Sequence, residues 1–133
     1  MGLEVALRDM LERKLSNLKM SFNLSYQVRE TQLTSNIEMV IYRIVQELLN
    51  NTIKHAEAGH VNVSVQQKEN ELYLTYTDNG KGMNRDMLSD SGKGFGLKSI
   101  TNRLHTLNGV MEILSEPAKG TKVFMNIPLY ATD

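Results

Sequence analysis

The chain has 133 residues, enough for one domain with a hydrophobic core and too few for two of ordinary size. Fifteen basic and fifteen acidic residues cancel, so no overall charge attracts the protein to nucleic acid or to an anionic membrane. The lack of cysteine excludes a disulfide framework or a thiolate metal site and fits a reducing compartment. No apolar run approaches about 18 residues and no signal peptide is visible, which predicts a soluble chain that could still be cut from a membrane protein.

The first part of the chain predicts a helix followed by a strand. From residue 3 to about residue 18, where Leu18 is the last apolar position, apolar residues recur at steps of three and four with charges between them. This spacing is typical of an amphipathic helix packed on a core. Met20, Phe22 and Leu24 then alternate with polar residues, which indicates a half-buried strand. A polar connection is predicted for residues 27–34.

A long helix is predicted next. Either Ser35 or Asn36 can cap its start, and the helix is expected to run to about Ala56. Its apolar stripe consists of Ile37, Val40, Ile41, Ile44, Val45 and Leu48.

Two pairs of strands and a third helix complete the predicted elements. Alternation predicts strands at residues 61–65 and 72–76, joined by a hairpin loop at residues 68–70. A helix from about residue 97 to residue 107 is expected to end at Gly109. The last strands, residues 110–114 and 121–127, are joined by a turn through Pro117 and Gly120. The predicted fold is therefore α+β, a two-layer sandwich with helices on one face of a mixed, mostly antiparallel sheet.

Polar residues near the end of the long helix form the first candidate constellation. On an α-helix Glu47, Asn51, Lys54 and His55 fall within roughly a quarter turn of one another, beside the apolar stripe. An amide oxygen of Asn51 suits Mg²⁺, whereas Lys54 and His55 can contact phosphate. Glu47 can act as a general base. The alternative is an ordinary solvated polar face with a contact between Glu47 and Asn51 or Lys54.

The sequence Asp78-Asn79-Gly80-Lys81-Gly82 forms a loop at the end of a predicted strand. A carboxylate fixed there can accept a hydrogen bond from an exocyclic amine such as that of adenine, and Gly80 and Gly82 let a purine approach the backbone. The alternative is a plain Asp-Asn-Gly turn.

A second glycine cluster, residues 92–97, opens the third predicted helix. The backbone N–H groups of Gly94, Gly96 and Leu97 at a helix start can form an anion site. Taken alone, this cluster is also typical of a plain turn.

The polar segment between the two glycine clusters, residues 83–91, is predicted to be a mobile lid. Met83 and Phe95 are candidates for the walls of a base pocket, although single apolar residues are more often simply packed.

The spacing of the glycines in residues 92–97 excludes two other nucleotide-binding motifs. A Walker loop needs four residues between its glycines and then Gly-Lys-Ser or Gly-Lys-Thr. A dinucleotide fingerprint needs Gly-x-Gly-x-x-Gly after the first strand of a βαβ unit. Residues 92–97 match neither pattern.

Three motifs occur in this order: the helix residues Glu47–His55, the Asp-x-Gly-x-Gly loop Asp78–Gly82 and the Gly-x-Gly-x-Gly-Leu loop Gly92–Leu97. Together they resemble the catalytic ATP-binding domain of sensor histidine kinases over residues 37–128. That family shares the Bergerat fold with the gyrase, Hsp90 and MutL ATPases. The run Asn51-x-x-Lys54-His55-Ala56 and the short lid are similar to the subgroup related to nitrate and membrane-fluidity sensors.

The resemblance implies a role for each matching residue. Asn51 would hold Mg²⁺, Glu47 would assist catalysis, and Lys54 and His55 would meet the phosphates of ATP. Asp78 would read adenine, with Thr121 nearby. The remaining residues that would border the nucleotide are Gly80, Gly82, Met83, Gly92, Lys93, Gly94, Phe95, Gly96 and Leu97.

One feature of that family is missing from the sequence. Its members phosphorylate a histidine on a separate dimerising hairpin, commonly followed by an acidic residue, and none of His55, His60 and His105 precedes one. We therefore expect a fragment of a larger sensor kinase that is monomeric in isolation. The hairpin, any sensor domain and any membrane span would precede it. The implied partners are that hairpin and a response regulator receiver domain, with no nucleic acid and no direct membrane contact, in the cytoplasm.

The leading hypothesis is a phosphotransferase domain that binds Mg-ATP and presents the γ-phosphoryl group to a histidine elsewhere. An anti-sigma-type serine kinase with the same fold is one alternative, and an acceptor hairpin encoded just upstream would argue against it. A nucleotide-binding module that holds ATP without transfer is another, and the presence of all the expected catalytic side chains argues against that one.

Overall fold

The computed structural model of the protein describes residues 2–29, 33–82, 97–115 and 118–129, without the side chains of residues 55, 56 and 97. Within these ranges the chain forms three α-helices and five strands. The helices are α1 (Leu3–Leu15), α2 (Ser35–Asn51) and α3 (Leu97–His105). The strands are β1 (Ser21–Gln27), β2 (His60–Lys68), β3 (Glu71–Asp78), β4 (Val110–Ser115) and β5 (Thr121–Pro128).

The strands form one sheet in the order β1-β2-β3-β5-β4. β1 and β2 are parallel, and the chain between them passes through α2, as a parallel pair requires a crossover. The other three pairs of neighbours are antiparallel. The predicted mixed, mostly antiparallel sheet is confirmed.

One face of this sheet and the apolar sides of the helices share a single hydrophobic core. Alternate residues of β2, β3 and β5 are buried, which follows from the two-residue period of a strand. The opposite face carries polar side chains and the exposed Tyr73 and Phe124. The predicted α+β architecture with helices on one face is therefore confirmed. In the described part of the chain, no helix combines the length and the apolar character needed to cross a membrane.

α1 is shorter than the sequence predicts. It ends at Leu15, and the next residues form a turn in which the Leu18 N–H donates to the Leu15 carbonyl over 3.1 Å. Lys19 adopts a left-handed conformation with φ of 55°, which turns the chain into β1. Leu18 is 45% exposed and lies outside the core, so its inclusion in the apolar stripe is wrong.

α2 begins one residue before the earlier of its two predicted starts. Thr34 has an extended backbone, and its Oγ1 accepts a hydrogen bond from the Ile37 N–H at 3.1 Å. The predicted caps, Ser35 and Asn36, are both helical residues. Threonine, serine and asparagine are all preferred capping residues, and the extended backbone of Thr34 decides that it is the cap.

α3 ends in a Schellman motif rather than at a single glycine. Asn108 takes the left-handed conformation with φ of 56°, and the Gly109 N–H donates to the Leu104 carbonyl at 2.9 Å. Gly109 leaves little room for a side chain, because a Cβ there would lie 3.1 Å from a Leu104 methyl group and from the Asn126 carbonyl oxygen.

Replacing Gly120 by alanine should destabilise the protein strongly. Gly120 has φ of +80°, and a Cβ there would collide with the Asp78 carbonyl oxygen. We expect the free energy of unfolding in urea to fall by at least about 2 kcal/mol. Gly59→Ala is the matched control, since the nearest atom to its Cβ would be 4.0 Å away, and it should change stability by less than about 1 kcal/mol. Equal losses in the two variants would contradict this account.

Candidate functional site

The end of α2 departs from α-helical geometry. The α-helix stops at Asn51, and Thr52–Ala56 form a π-helical turn before Glu57 enters the left-handed region with φ of 53°. The predicted continuous α-helix to Ala56 is therefore wrong, because a five-residue stretch has no apolar period that distinguishes the two helix types. Glu47 and Asn51 share one side of the α-helix, whereas Lys54 and His55 lie in the π turn and do not follow the α-helical angular spacing. Such π turns are frequent at functional sites.

Glu47 lies on the side of α2 that packs against α3. Its Oε1 accepts a hydrogen bond from Ser99 Oγ at 3.1 Å, and Arg103 Nη2 lies 4.0 Å from the same oxygen. Both of these neighbours belong to α3. The helix that follows the second glycine cluster thus orients the candidate general base.

The other oxygen of Glu47 has a different environment. Among the described residues, Glu47 Oε2 is buried and has no hydrogen-bond partner, and Arg103 Nε is in the same condition. A buried acceptor without a donor costs free energy unless something else satisfies it. Among the described residues, Glu47 therefore has one oxygen anchored by Ser99 and one buried oxygen whose acceptor capacity is unused.

Two consecutive asparagines at the end of α2 serve different surfaces. Asn50 Oδ1 accepts a hydrogen bond from Lys14 Nζ of α1 at 3.0 Å. Asn51 is half-buried and lies one α-helical turn after Glu47, on the same side of α2. Lys54 is exposed on the π turn, and the side chain of His55 lies outside the described residues. The structure thus brings together Glu47 and Asn51.

The loop after β3 is fixed by its own side chains. Asp78 Oδ1 accepts a hydrogen bond from the Gly80 N–H at 2.9 Å. Asn79 Oδ1 accepts from the backbone N–H groups of Gly59 at 2.8 Å and His60 at 2.9 Å, where β2 begins. Gly82 has φ of 75°, a conformation that favours glycine. The Asp78 bond is that of an Asx turn, and the Asn79 bonds tie this turn to the start of β2.

Residues at and just before the start of β5 contact the same loop. The Ala118 N–H donates to the Lys81 carbonyl, and Thr121 pairs with Asp78 across β3 and β5. Thr121 is buried, and its Oγ1 lies 3.1 Å from Ser115 Oγ. Since directly paired residues point to the same side of a sheet, Thr121 lies beside Asp78, as predicted.

Two buried side chains that are absent from the predicted site, Thr52 and Tyr76, complete the surroundings of Asp78. Thr52 Oγ1 lies 2.9 Å from Asp78 Oδ2 and 2.7 Å from the Tyr76 hydroxyl. Alternation along β3 already placed Tyr76 on the same side as Asp78. Nothing in the local sequence connects Thr52 to either residue, and Ser99 was missed for the same reason.

Several predicted site residues lie outside the described part of the chain. They are Met83, Gly92, Lys93, Gly94, Phe95 and Gly96, together with the predicted lid at residues 83–91. Leu97 is the first residue of α3, and its side chain is not described. In the described ranges, no group of three His, Asp or Glu residues is arranged to hold a metal ion.

Residues 36–131 match the family described as histidine kinase-, DNA gyrase B-, and HSP90-like ATPase. The match covers most of the chain, and the protein belongs to this family. The predicted relationship to the catalytic ATP-binding domains of sensor histidine kinases is confirmed.

The sensor histidine kinase LiaS of Bacillus subtilis is 31% identical over 97% of this chain and 35% of its own length. The oxygen sensor histidine kinase NreB of Staphylococcus carnosus is 32% identical over 97% of this chain and 37% of its own length. The chain thus spans about a third of these curated relatives.

The fold has solved counterparts. The histidine kinase domain of the Erythrobacter litoralis EL346 blue-light activated histidine kinase superposes with a TM-score of 0.78, over 95% of this chain and 58% of that chain. The two sequences are 18% identical, so this likeness concerns the fold.

Removing the Asn79 side chain should loosen the loop. Asn79→Ala leaves two backbone N–H groups without their acceptor, and we expect the free energy of unfolding in urea to fall by about 1–2 kcal/mol. Asn79→Asp retains an acceptor oxygen in the same place and should lose less. An alanine variant as stable as the wild type would show that these bonds do not anchor the loop.

Proposed function

We propose that this protein is the catalytic ATP-binding domain of a two-component sensor histidine kinase. It binds Mg-ATP and donates the γ-phosphoryl group to a histidine on a separate dimerisation hairpin, for onward transfer to a response regulator. The observation that carries the proposal is the Asp78 carboxylate, held by Thr52 and the Gly80 N–H at the end of β3. In a chain of this ATPase family, such a fixed acceptor supports adenine recognition.

Asp78 supports adenine recognition by its hydrogen-bonding character. Each of its oxygens already accepts one hydrogen bond and has a further lone pair. The carboxylate therefore offers only acceptor positions, which suit the exocyclic amine of adenine. Gly80 and Gly82 add no side-chain bulk to the loop beside it.

The donor set near Asn51 fits a magnesium ion that arrives with the triphosphate. Mg²⁺ prefers oxygen ligands and commonly takes few from the protein, the rest coming from phosphates and water. The Asn51 amide oxygen would supply the protein ligand, and the ion would neutralise charge on the phosphates. Lys54, His55 and the N-terminal end of α3 with Gly94, Gly96 and Leu97 would contact the same phosphates.

Glu47 is suited to handle the proton of the acceptor. A histidine ring nitrogen would attack the γ-phosphorus, the bond to the bridging oxygen would break, and ADP would leave. Glu47 Oε2 would take or orient the ring proton of that histidine, while Ser99 holds Oε1. Positioning and charge stabilisation would supply the rest of the rate effect.

The proposed partners follow from this reaction. They are the acceptor hairpin of the kinase and the receiver domain of a response regulator. The domain would work in the cytoplasm, as part of a larger kinase. We propose no role for nucleic acid or for direct membrane contact.

Calorimetric titration of this chain with Mg-ATP tests the adenine and magnesium assignments. We expect one-to-one binding that weakens at least about 10-fold in Asp78→Asn, because the new amide places a donor against the adenine amine. Asn51→Ala should weaken Mg-ATP binding and reduce the dependence of affinity on Mg²⁺. A folded wild-type chain that binds no ATP would refute the proposed function.

Glu47→Gln separates catalysis from binding. The substituted amide retains an acceptor for Ser99 but cannot take a proton, so phosphoryl transfer to a supplied acceptor hairpin should fall at least about 100-fold. The ATP affinity should stay within about 2-fold of the wild type. Unchanged transfer would remove Glu47 from the proton-handling role.

A further inference from the structure

We propose that Thr52 and Tyr76 are positioning residues for nucleotide selectivity, because together they set the direction of the Asp78 carboxylate toward a purine that carries a 6-amino group. The inference rests on the proposed function, since it concerns the base of the bound nucleotide. Neither residue is proposed to contact the phosphates.

The hydrogen bonds around Thr52 can be assigned by counting protons. Its hydroxyl has one hydrogen and lies near two groups that only accept, the Leu48 carbonyl at 3.1 Å and Asp78 Oδ2 at 2.9 Å. Its third neighbour is the Tyr76 hydroxyl at 2.7 Å. The two shorter contacts are those to Tyr76 and to Asp78. Both can be hydrogen bonds only when Tyr76 donates to Thr52 and Thr52 donates to Asp78.

Tyr76 is suited to be a permanent donor in this chain. It is 1% exposed, and burial raises the pKa of its hydroxyl well above the ordinary value for tyrosine. The hydroxyl therefore keeps its proton throughout the physiological pH range. Because Tyr76 donates to the Thr52 oxygen, Thr52 does not donate to Tyr76, and its own hydrogen is available for the shorter of its two remaining contacts, the one to Asp78.

The two oxygens of Asp78 are held from opposite elements. Thr52 belongs to the π turn and engages Oδ2, whereas the Gly80 N–H belongs to the loop and engages Oδ1. Two donors fix both the position and the rotation of a planar carboxylate. The lone pairs that remain are then directed at the ligand, and they favour a donor on the purine over the 6-oxo group of a guanine or hypoxanthine base.

A purine that lacks the 6-amino group separates this role from simple support of the fold. We would titrate the chain with Mg-ATP and with Mg-purine riboside triphosphate, which has hydrogen at that position. In Thr52→Val, which conserves shape, ATP affinity should fall at least about 10-fold and the affinity for the purine analogue should change less than about 2-fold. Thr52→Ser, which keeps the hydroxyl, should restore ATP affinity to within about 3-fold of the wild type.

Tyr76→Phe and Thr75→Val complete the comparison. Tyr76→Phe removes only the donor to Thr52, so it should weaken ATP binding by a few-fold and spare the analogue. Thr75 lies on the same strand but on the opposite face, and Thr75→Val should leave both affinities unchanged. Thermal unfolding of each variant is measured first, and Tyr76→Phe decides the question if Thr52→Val does not fold.

The outcomes distinguish this inference from the proposed function. Equal losses for ATP and the analogue in Thr52→Val and Tyr76→Phe would show a structural role only, and unchanged ATP affinity in both would equally overturn the inference. A folded wild-type chain that binds neither nucleotide would overturn the proposed function itself.

Discussion

The hydrogen bonds of the Asp78 carboxylate are the interactions on which the rest of the candidate site depends. One oxygen is bound to the π turn through Thr52, and the other is bound to the loop through the Gly80 N–H. The carbonyl of the same residue lies against Gly120 at the start of β5. A single residue therefore connects the helix layer, the end of the central strand and the neighbouring turn. If Asp78 moved, the contacts that join these three elements would be lost.

The two layers of the fold contribute different candidate site residues. The sheet layer ends in Asp78 and Thr121, which are fixed because β3 is paired on both sides. The helix layer contributes Glu47 and Asn51 from α2. α3 then adds Ser99, which donates a hydrogen bond to Glu47 and lies two residues after Leu97, the last residue of the second glycine cluster.

Most of the elements were predictable because each depends on local chemistry. The alternation of β2 and β3 and the apolar stripe of α2 follow from periods of 2 and 3.6 residues. The departures occur where local patterns are equivalent. Thr34 caps α2 although Ser35 and Asn36 are also preferred capping residues, and the π turn after Asn51 is too short to show a period of its own. Leu18 matched the apolar spacing of α1 but lies beyond the turn that ends it.

The sequence by itself determined the candidate residues Glu47, Asn51 and Asp78 and the family to which the chain belongs, because those residues form ordered motifs with fixed spacing. Only the tertiary structure decided which side chains hold them. Thr52 meets Asp78 across 26 residues, and Ser99 meets Glu47 across 52. Such contacts depend on the register of the sheet and on how the helices pack against each other. No local pattern in the sequence indicates that these pairs of residues meet.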